Sequence, residues 1–290
     1  MRKRIFYFAS LILIMFLAAC GQTKQQATRS DGLKVVTSLR VYQEAAQAVL
    51  GKYGHATAII DNANIDPHDF EATTATGKLV AGADVVINNG LGYDDWLTKL
   101  TDSGNPKATQ IKVAEDVMHL KDGDNEHVFY DPQMMPKLAT KLAGQFGKQD
   151  PTNAAAYKRN AQKYVKQLAP LEALLKKLRN TGNQKYAASS EPVFDYGLQA
   201  AGYTLIDKDF AKSIEDGTDP TPKALTTLRS DLRSGKISVF VNNEQSDSPI
   251  VQQVVATAKK AGVKVVNVRE TQPNHKTYLE WMLSNYRQLQ

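Results

Sequence analysis

Short apolar runs alternate along the chain with longer stretches whose apolar residues recur every three or four positions. The runs at 34–39, 57–60, 84–88, 185–189, 237–241 and 263–268 predict buried strands. The stretches at 41–50, 70–81, 132–147, 192–201, 222–234, 249–261 and 276–288 predict amphipathic helices. Regular alternation of strand and helix predicts parallel sheets in an α/β fold. Several helices start with proline at the first helical position behind a capping residue: Asp131-Pro132, Asp150-Pro151, Thr221-Pro222 and Ser248-Pro249.

One segment breaks this rhythm. Over residues 151–180 the helical spacing continues through Tyr157, Ala161, Tyr164, Leu168, Leu171, Leu175 and Leu178, with dense lysine on the opposite face. Globular helices average about 11–12 residues, so this one is unusually long. Pro170 inside it removes a hydrogen-bond donor and predicts a kink. Thr181-Gly182-Asn183 ends it. It divides the α/β pattern into two comparable halves. The expected organisation is therefore a lobe over 33–150, a connecting helix over 151–182, and a second lobe over 183–290.

The 290 residues are 42% hydrophobic and 23% charged, which excludes collagen, low-complexity sequence and wholesale disorder. Net charge is +6, and three of those units are Arg2, Lys3 and Arg4. What remains is too small and too evenly spread to suggest a nucleic-acid partner. Residues 5–19 form an apolar run about 15 residues long, shorter than the roughly 20 needed to span a bilayer. With the basic start this predicts a signal peptide over 1–19. Small residues then precede Cys20, the single cysteine of the chain, so neither an intrachain disulfide nor a cysteine-based zinc site can form. Leu17-Ala18-Ala19-Cys20 resembles the lipobox of a bacterial lipoprotein, which implies lipidation of Cys20 and a flexible polar tether over 20–32. The expected location is the extracytoplasmic face of the cell membrane, held to the lipid bilayer by that anchor.

Five histidines are present. His68 (in DPHDFE) and His127 (in EHVFYDP) both fall where a strand gives way to a helix, the edge of an open parallel sheet at which ligands bind. In the second half Glu191 (in SSEP) ends one strand, and Glu270 (in VRETQP) follows the last. Two imidazoles and two carboxylates suit a borderline divalent ion such as Zn2+, and also Mn2+. Four protein ligands drawn from both lobes would leave no open position for a reacting water, a pattern of capture rather than catalysis. His55 in a Gly-rich turn reads as solvated. His275 reads as a residue at a helix start, and His119 as part of a short acidic loop. Asp94, Asp95 and Trp96 read as a helix start with a core tryptophan. Gly90 and Gly92 do not make a nucleotide loop, since neither GxGxxG nor GK[ST] follows.

Together DPHDFE, EHVFYDP, SSEPVFDYGLQAAGY and ETQPNHKTYLEWML resemble the metal-binding lipoproteins of bacterial zinc/manganese ABC importers, over essentially the whole chain from the lipobox onward. The resemblance implies two α/β lobes, a long rigid connecting helix, and one divalent ion, zinc or manganese, as transported cargo in the cleft. It implies a membrane ABC permease as partner, and a monomer is expected. His68 and His127 match the two histidine ligands, and Glu191 matches the third position. Many members carry an aspartate at the fourth position; here the acid is Glu270, displaced by about two residues. Gln272 stands nearer that position but is neutral, and Glu244 and Asp247 are competing acids on the same edge. The long histidine-rich loop of many zinc-specific members is missing. HExxH and GxSxG motifs are absent, which argues against an enzyme. The alternative reading is a surface adhesin or interaction lipoprotein with a secondary metal site.

Overall fold

The computed structural model describes residues 32–65, 67–180, 185–246 and 248–290. The predicted signal peptide, Cys20, the tether up to residue 31 and Asp247 lie outside the described residues. From Leu33 the chain builds β1 (Leu33–Leu39), α1 (Arg40–Leu50), β2 (Gly54–Ile60), α2 (Thr74–Ala81), β3 (Val85–Asn88), α3 (Asp95–Gly104) and β4 (Thr109–Lys112). All four strands are parallel, in the order β2-β1-β3-β4. Then come α4 (Met134–Gln149), α5 (Ala154–Gln167) and α6 (Ala169–Arg179). A second half follows with β5 (Lys185–Ser189), α7 (Asp195–Ala200), β6 (Tyr203–Leu205), α8 (Lys208–Glu215), α9 (Pro222–Arg233), β7 (Ile237–Asn243), α10 (Pro249–Lys260), β8 (Lys264–Val268) and α11 (Tyr278–Arg287). Its sheet is also all parallel, in the order β6-β5-β7-β8. The two halves thus repeat one plan without visible repetition in sequence. The α/β fold class with parallel sheets is the one the hydrophobic pattern predicts.

The central strands are nearly saturated with buried residues, as parallel strands covered on both faces must be. Val85, Val86 and Ile87 of β3, and Phe240 of β7, are fully buried. Loops leaving the carboxyl ends of the strands therefore carry what polar chemistry the sheets present.

The long helical segment is bent. After a single tight turn at Pro151–Asn153, α5 runs to Gln167, Leu168 adopts a looser conformation, and α6 resumes at Ala169. Pro170 lacks the N–H that would bond the carbonyl of Lys166, so a continuous ladder cannot pass this point. α5 packs on α1 and α4 of the first half, and α6 packs on α11 of the second.

α11 is the second tie between the halves. Its capping box pairs Thr277 with Glu280. Its inner face carries Trp281, Asn285 and Tyr286 back onto the turn Val128–Tyr130 of the first half. Trp281 lies 6.2 Å from Phe129 and 5.1 Å from Tyr130, ring centre to ring centre. The Tyr278 hydroxyl donates to the Phe129 carbonyl at 3.2 Å, and that of Tyr286 to the Tyr130 carbonyl at 3.2 Å. One hydrophobic cluster consequently runs through both sheets and the helices between them.

Some elements depart from the sequence expectation. The helix expected from residue 70 starts at Thr74, because Thr73 is extended and caps it reciprocally with Thr76, and residues 70–73 belong to no regular element. The helix expected over 192–201 opens as a tight turn at Pro192–Phe194 before α7. Strands β4 and β6 and helix α8 carry no clear sequence signal. The two strands are outer strands of three or four residues, and outer strands tolerate polar residues because one side is open.

Because Trp281 is 2% exposed and sits in the shared cluster, Trp281→Ala should cost about 3–5 kcal/mol. Urea unfolding followed by separate probes in the two halves should show both transitions moving together. A shift confined to the second half would mean that the halves are energetically independent.

Candidate metal centre

The site forms where the carboxyl ends of the two sheets face each other. After β2 the chain reaches Pro67–Asp69, one tight turn that carries His68. The second half pins this loop. Arg269 donates to the Ala63 carbonyl at 2.9 Å, the Thr271 hydroxyl to the same carbonyl at 2.7 Å, and Gln245 to the Ile65 carbonyl at 3.3 Å. The His68 side chain stays 41% exposed, at the mouth of the cleft.

His127, by contrast, is fully buried. Asn125 holds it twice: its Oδ1 accepts from the His127 backbone N–H at 2.8 Å and lies 2.9 Å from ring Nδ1. That contact makes Nδ1 the donor and turns Nε2 toward the cleft. Asn125 in turn donates to the Pro192 carbonyl at 2.7 Å, and Tyr196 donates to the Asn125 carbonyl at 2.7 Å. Both grips come from the second half.

Glu270, just past β8, is the point on which the groups converge. It is 3% exposed. Its Oε2 lies 3.2 Å from His68 Nε2 and 3.5 Å from His127 Nε2, and accepts from the Tyr93 hydroxyl at 3.1 Å. Its Oε1 accepts from Asn243 Nδ2 at 3.0 Å. Glu191, at the end of β5, accepts from the same Asn243 Nδ2 at 2.6 Å. Asn243 ends β7 and thereby holds two carboxylates side by side. Around a tetrahedral ion with bonds of about 2.0–2.1 Å, ligand atoms stand roughly 3.3 Å apart, close to the His68–Glu270 and His127–Glu270 separations. This donor set fits a divalent transition metal.

Tyr93 owes its position to a strained loop. Gly90, Leu91 and Gly92 all have positive φ, at 91°, 52° and 84°. Glycine suits position 90 because its φ of 91° is one that other residues rarely adopt, and a Cβ there would also have to push the Glu115 carboxylate aside. Buried Asp94 closes the loop by accepting from the backbone N–H groups of Asn89 (2.5 Å) and Gly90 (3.0 Å). Burial pushes the Asp94 carboxyl up to about 6 against those bonds. Asn89 then donates to the Glu126 carbonyl at 2.9 Å, joining this loop to the one that carries His127.

Glu215, the last residue of α8, was not foreseen from the sequence. Its side chain is 8% exposed, and Oε1 lies 3.9 Å from His127 Nδ1. One ligand atom each from His68, His127 and Glu215 fall within 4.8 Å of one another. The surrounding Ser-Ile-Glu-Asp-Gly-Thr-Asp-Pro reads as a polar turn, and no spacing marks Glu215 out. Asn243, Asn125 and Tyr93 were also missed; neutral residues after strands carry no signal of their own.

The other candidates lie elsewhere. Glu244 is 42% exposed and sits 3.8 Å from Arg269. Gln272 donates to Glu44 at 2.7 Å and to the Lys276 carbonyl at 2.8 Å, tying the last loop to α1. His55, His119 and His275 are exposed.

The electrostatics follow from burial. Desolvation alone would lower the His127 pKa, but Glu270 and Glu215 overcome it and bring the imidazole up to about 9. Desolvation likewise opposes ionisation of Glu270, yet the two histidines hold its carboxyl below the ordinary range. Burial raises Glu191, and raises Glu215 to about 8 despite the pull of His127.

The family described as zinc-uptake complex component A, periplasmic, matches residues 35–290. The manganese ABC transporter substrate-binding lipoprotein PsaA of Streptococcus anginosus is 29% identical, over 82% of this chain and 83% of that one. The structure of the SBP FpvC from Pseudomonas aeruginosa in complex with Mn2+ superposes with a TM-score of 0.74, covering 89% of this chain and 97% of that one at 24% identity. The periplasmic zinc-binding protein TroA from Treponema pallidum superposes with a TM-score of 0.73, over 89% of this chain and 98% of that one, at 15% identity.

The pKa shifts give the metal-free protein a definite pH profile. His127 rises from 6.5 to about 9, so the stability it contributes is complete below about pH 6.5 and is lost as the pH passes through about 9. Glu215, whose neutral form folding favours, removes stability as the pH rises from 4.5 to about 8. The melting temperature of chelator-treated protein should therefore be higher at about pH 6 than at about pH 9. A flat profile across that window would contradict the buried His127–carboxylate cluster.

Proposed function

The chain belongs to the zinc-uptake complex component A family, and we propose that it captures one Zn2+ or Mn2+ ion between its two halves and hands it to a membrane ABC permease. The convergence of His68 Nε2 and His127 Nε2 on one buried Glu270 oxygen, at 3.2 and 3.5 Å, carries this reading. His68 and His127 come from the first half, and Glu191 and Glu270 from the second. In the proposed mechanism these four residues hold the ion, and each half alone offers an incomplete set.

Capture begins at His68, the exposed member of the set. The ion displaces the proton from His127, since a ligating imidazole must be neutral. Asn125 keeps Nε2 aimed at the ion by accepting from Nδ1–H. Asn243 keeps the two carboxylates together and reduces the rearrangement that binding requires. Release to the permease needs only a small separation of the halves, because the ligands from either side hold the ion poorly alone. Lipidation of Cys20 would keep the protein beside its permease, and a monomer suffices for this cycle.

Metal-free protein titrated with Zn2+ or Mn2+ should bind close to one ion per chain. The melting temperature should rise with metal and fall again with chelator. At a thousandfold excess over Kd the added stability is about 4 kcal/mol. His68→Ala, Glu191→Ala and Glu270→Ala should each weaken binding, and affinity should fall steadily as the pH is lowered from about 9, because binding must displace the proton that the His127 imidazole holds below that pH. Normal binding in all three variants would refute the ligand set.

Cys20→Ser should leave the precursor unprocessed or release the protein from the membrane. Fractionation of cells followed by mass determination reads this directly, and recovery of normally processed membrane-bound variant would refute the anchor.

A further inference from the structure

Glu215 is out of place by every local rule. It ends α8, where the negative end of the helix dipole opposes a carboxylate. Its side chain is more than nine-tenths buried, no donor group among the described residues hydrogen-bonds either carboxylate oxygen, and a second acid, Glu126, stands beside it. A buried carboxylate without donors is costly, and native proteins seldom keep one without a compensating charge. The other buried carboxylates of the cleft are supplied: Glu270 has Tyr93 and Asn243, and Glu191 has Asn243. Packing does not explain Glu215 either, since Phe210 and Ala211 are the buried residues of α8. His127 Nε2, also fully buried, makes no standard hydrogen bond. Glu215 Oε1 stands 3.9 Å from His127 Nδ1, and one ligand atom each of His68, His127 and Glu215 lie within 4.8 Å of one another.

We infer that Glu215 is itself a ligand of the captured ion, brought to the site by α8. The inference rests on the reading that His68 and His127 hold that ion. It changes the character of the site. Two imidazoles and two carboxylates can close a tetrahedron, the preferred arrangement of Zn2+. A third carboxylate exceeds four ligands and makes the site richer in oxygen, which suits Mn2+ better. Glu215 is then the residue that moves selectivity toward manganese, while the affinity order by itself favours zinc.

The test compares full-length wild type, Glu215→Gln, Glu215→Ala and His68→Ala, stripped of metal and titrated with MnCl2 and with ZnCl2 against a chromophoric chelator. X-ray absorption of the loaded proteins counts the ligands. Glu215→Gln keeps the volume and removes the charge, so it should fold as well as wild type, and its metal-free melting temperature should be equal or higher. It should lose Mn2+ affinity by about 100-fold and Zn2+ affinity by no more than about 10-fold, with one oxygen fewer around Mn2+. If Glu215→Gln binds both ions like wild type while His68→Ala loses them, Glu215 is not a ligand and the capture reading stands. If both ions weaken equally with an unchanged ligand count, Glu215 only positions His127 and the inference is overturned. If His68→Ala binds like wild type, the capture reading itself fails and takes this inference with it.

Discussion

The structure turns on one buried carboxylate. Glu270 receives Tyr93 and Asn243, faces two imidazoles, and is 3% exposed. A lone charge in that position would be prohibitive. It is tolerable because groups from both halves surround it, which makes the cleft the place where the two halves must agree. The loops that meet there are correspondingly cross-tied. Asn125 is held by Pro192 and Tyr196, and Ala63 by Arg269 and Thr271. Each of these contacts joins residues far apart in the chain.

The architecture supplies the rigidity such a site needs. Two sheets with one strand order present their carboxyl edges to each other. The bent α5–α6 segment lies along one side, and α11 returns from the second sheet to pack Trp281 on Phe129 and Tyr130 of the first half. Tyr130 then donates to the Arg269 carbonyl at 2.7 Å, immediately before Glu270. Core and site are therefore continuous: the aromatic packing of α11 sets the backbone that delivers the central carboxylate.

The local pattern of the chain carried much of this. Buried strands announced themselves as Val- and Ile-rich runs, helices by their spacing and proline starts, and the bend by Pro170. His68, His127, Glu191 and Glu270 stood out because charged or imidazole side chains directly after buried strands have few structural reasons to be there. Their joint role as ligands is a proposal that metal titration must decide.

Sequence by itself thus determined the α/β class, the halving of the chain and the edge on which polar chemistry would gather, since all three follow from periodicity and local backbone preference. Only the tertiary structure decided which neutral side chains organise the charges and which acid faces His127 from the far side. Asn243, Asn125 and Tyr93 act through single long-range hydrogen bonds, which leave no trace in spacing. Glu215 lies in a stretch that reads as a solvated turn, and only the fold sets it beside His127, 88 positions earlier in the chain. Burial and proximity are properties of the folded whole, and they convert an ordinary glutamate into a candidate ligand.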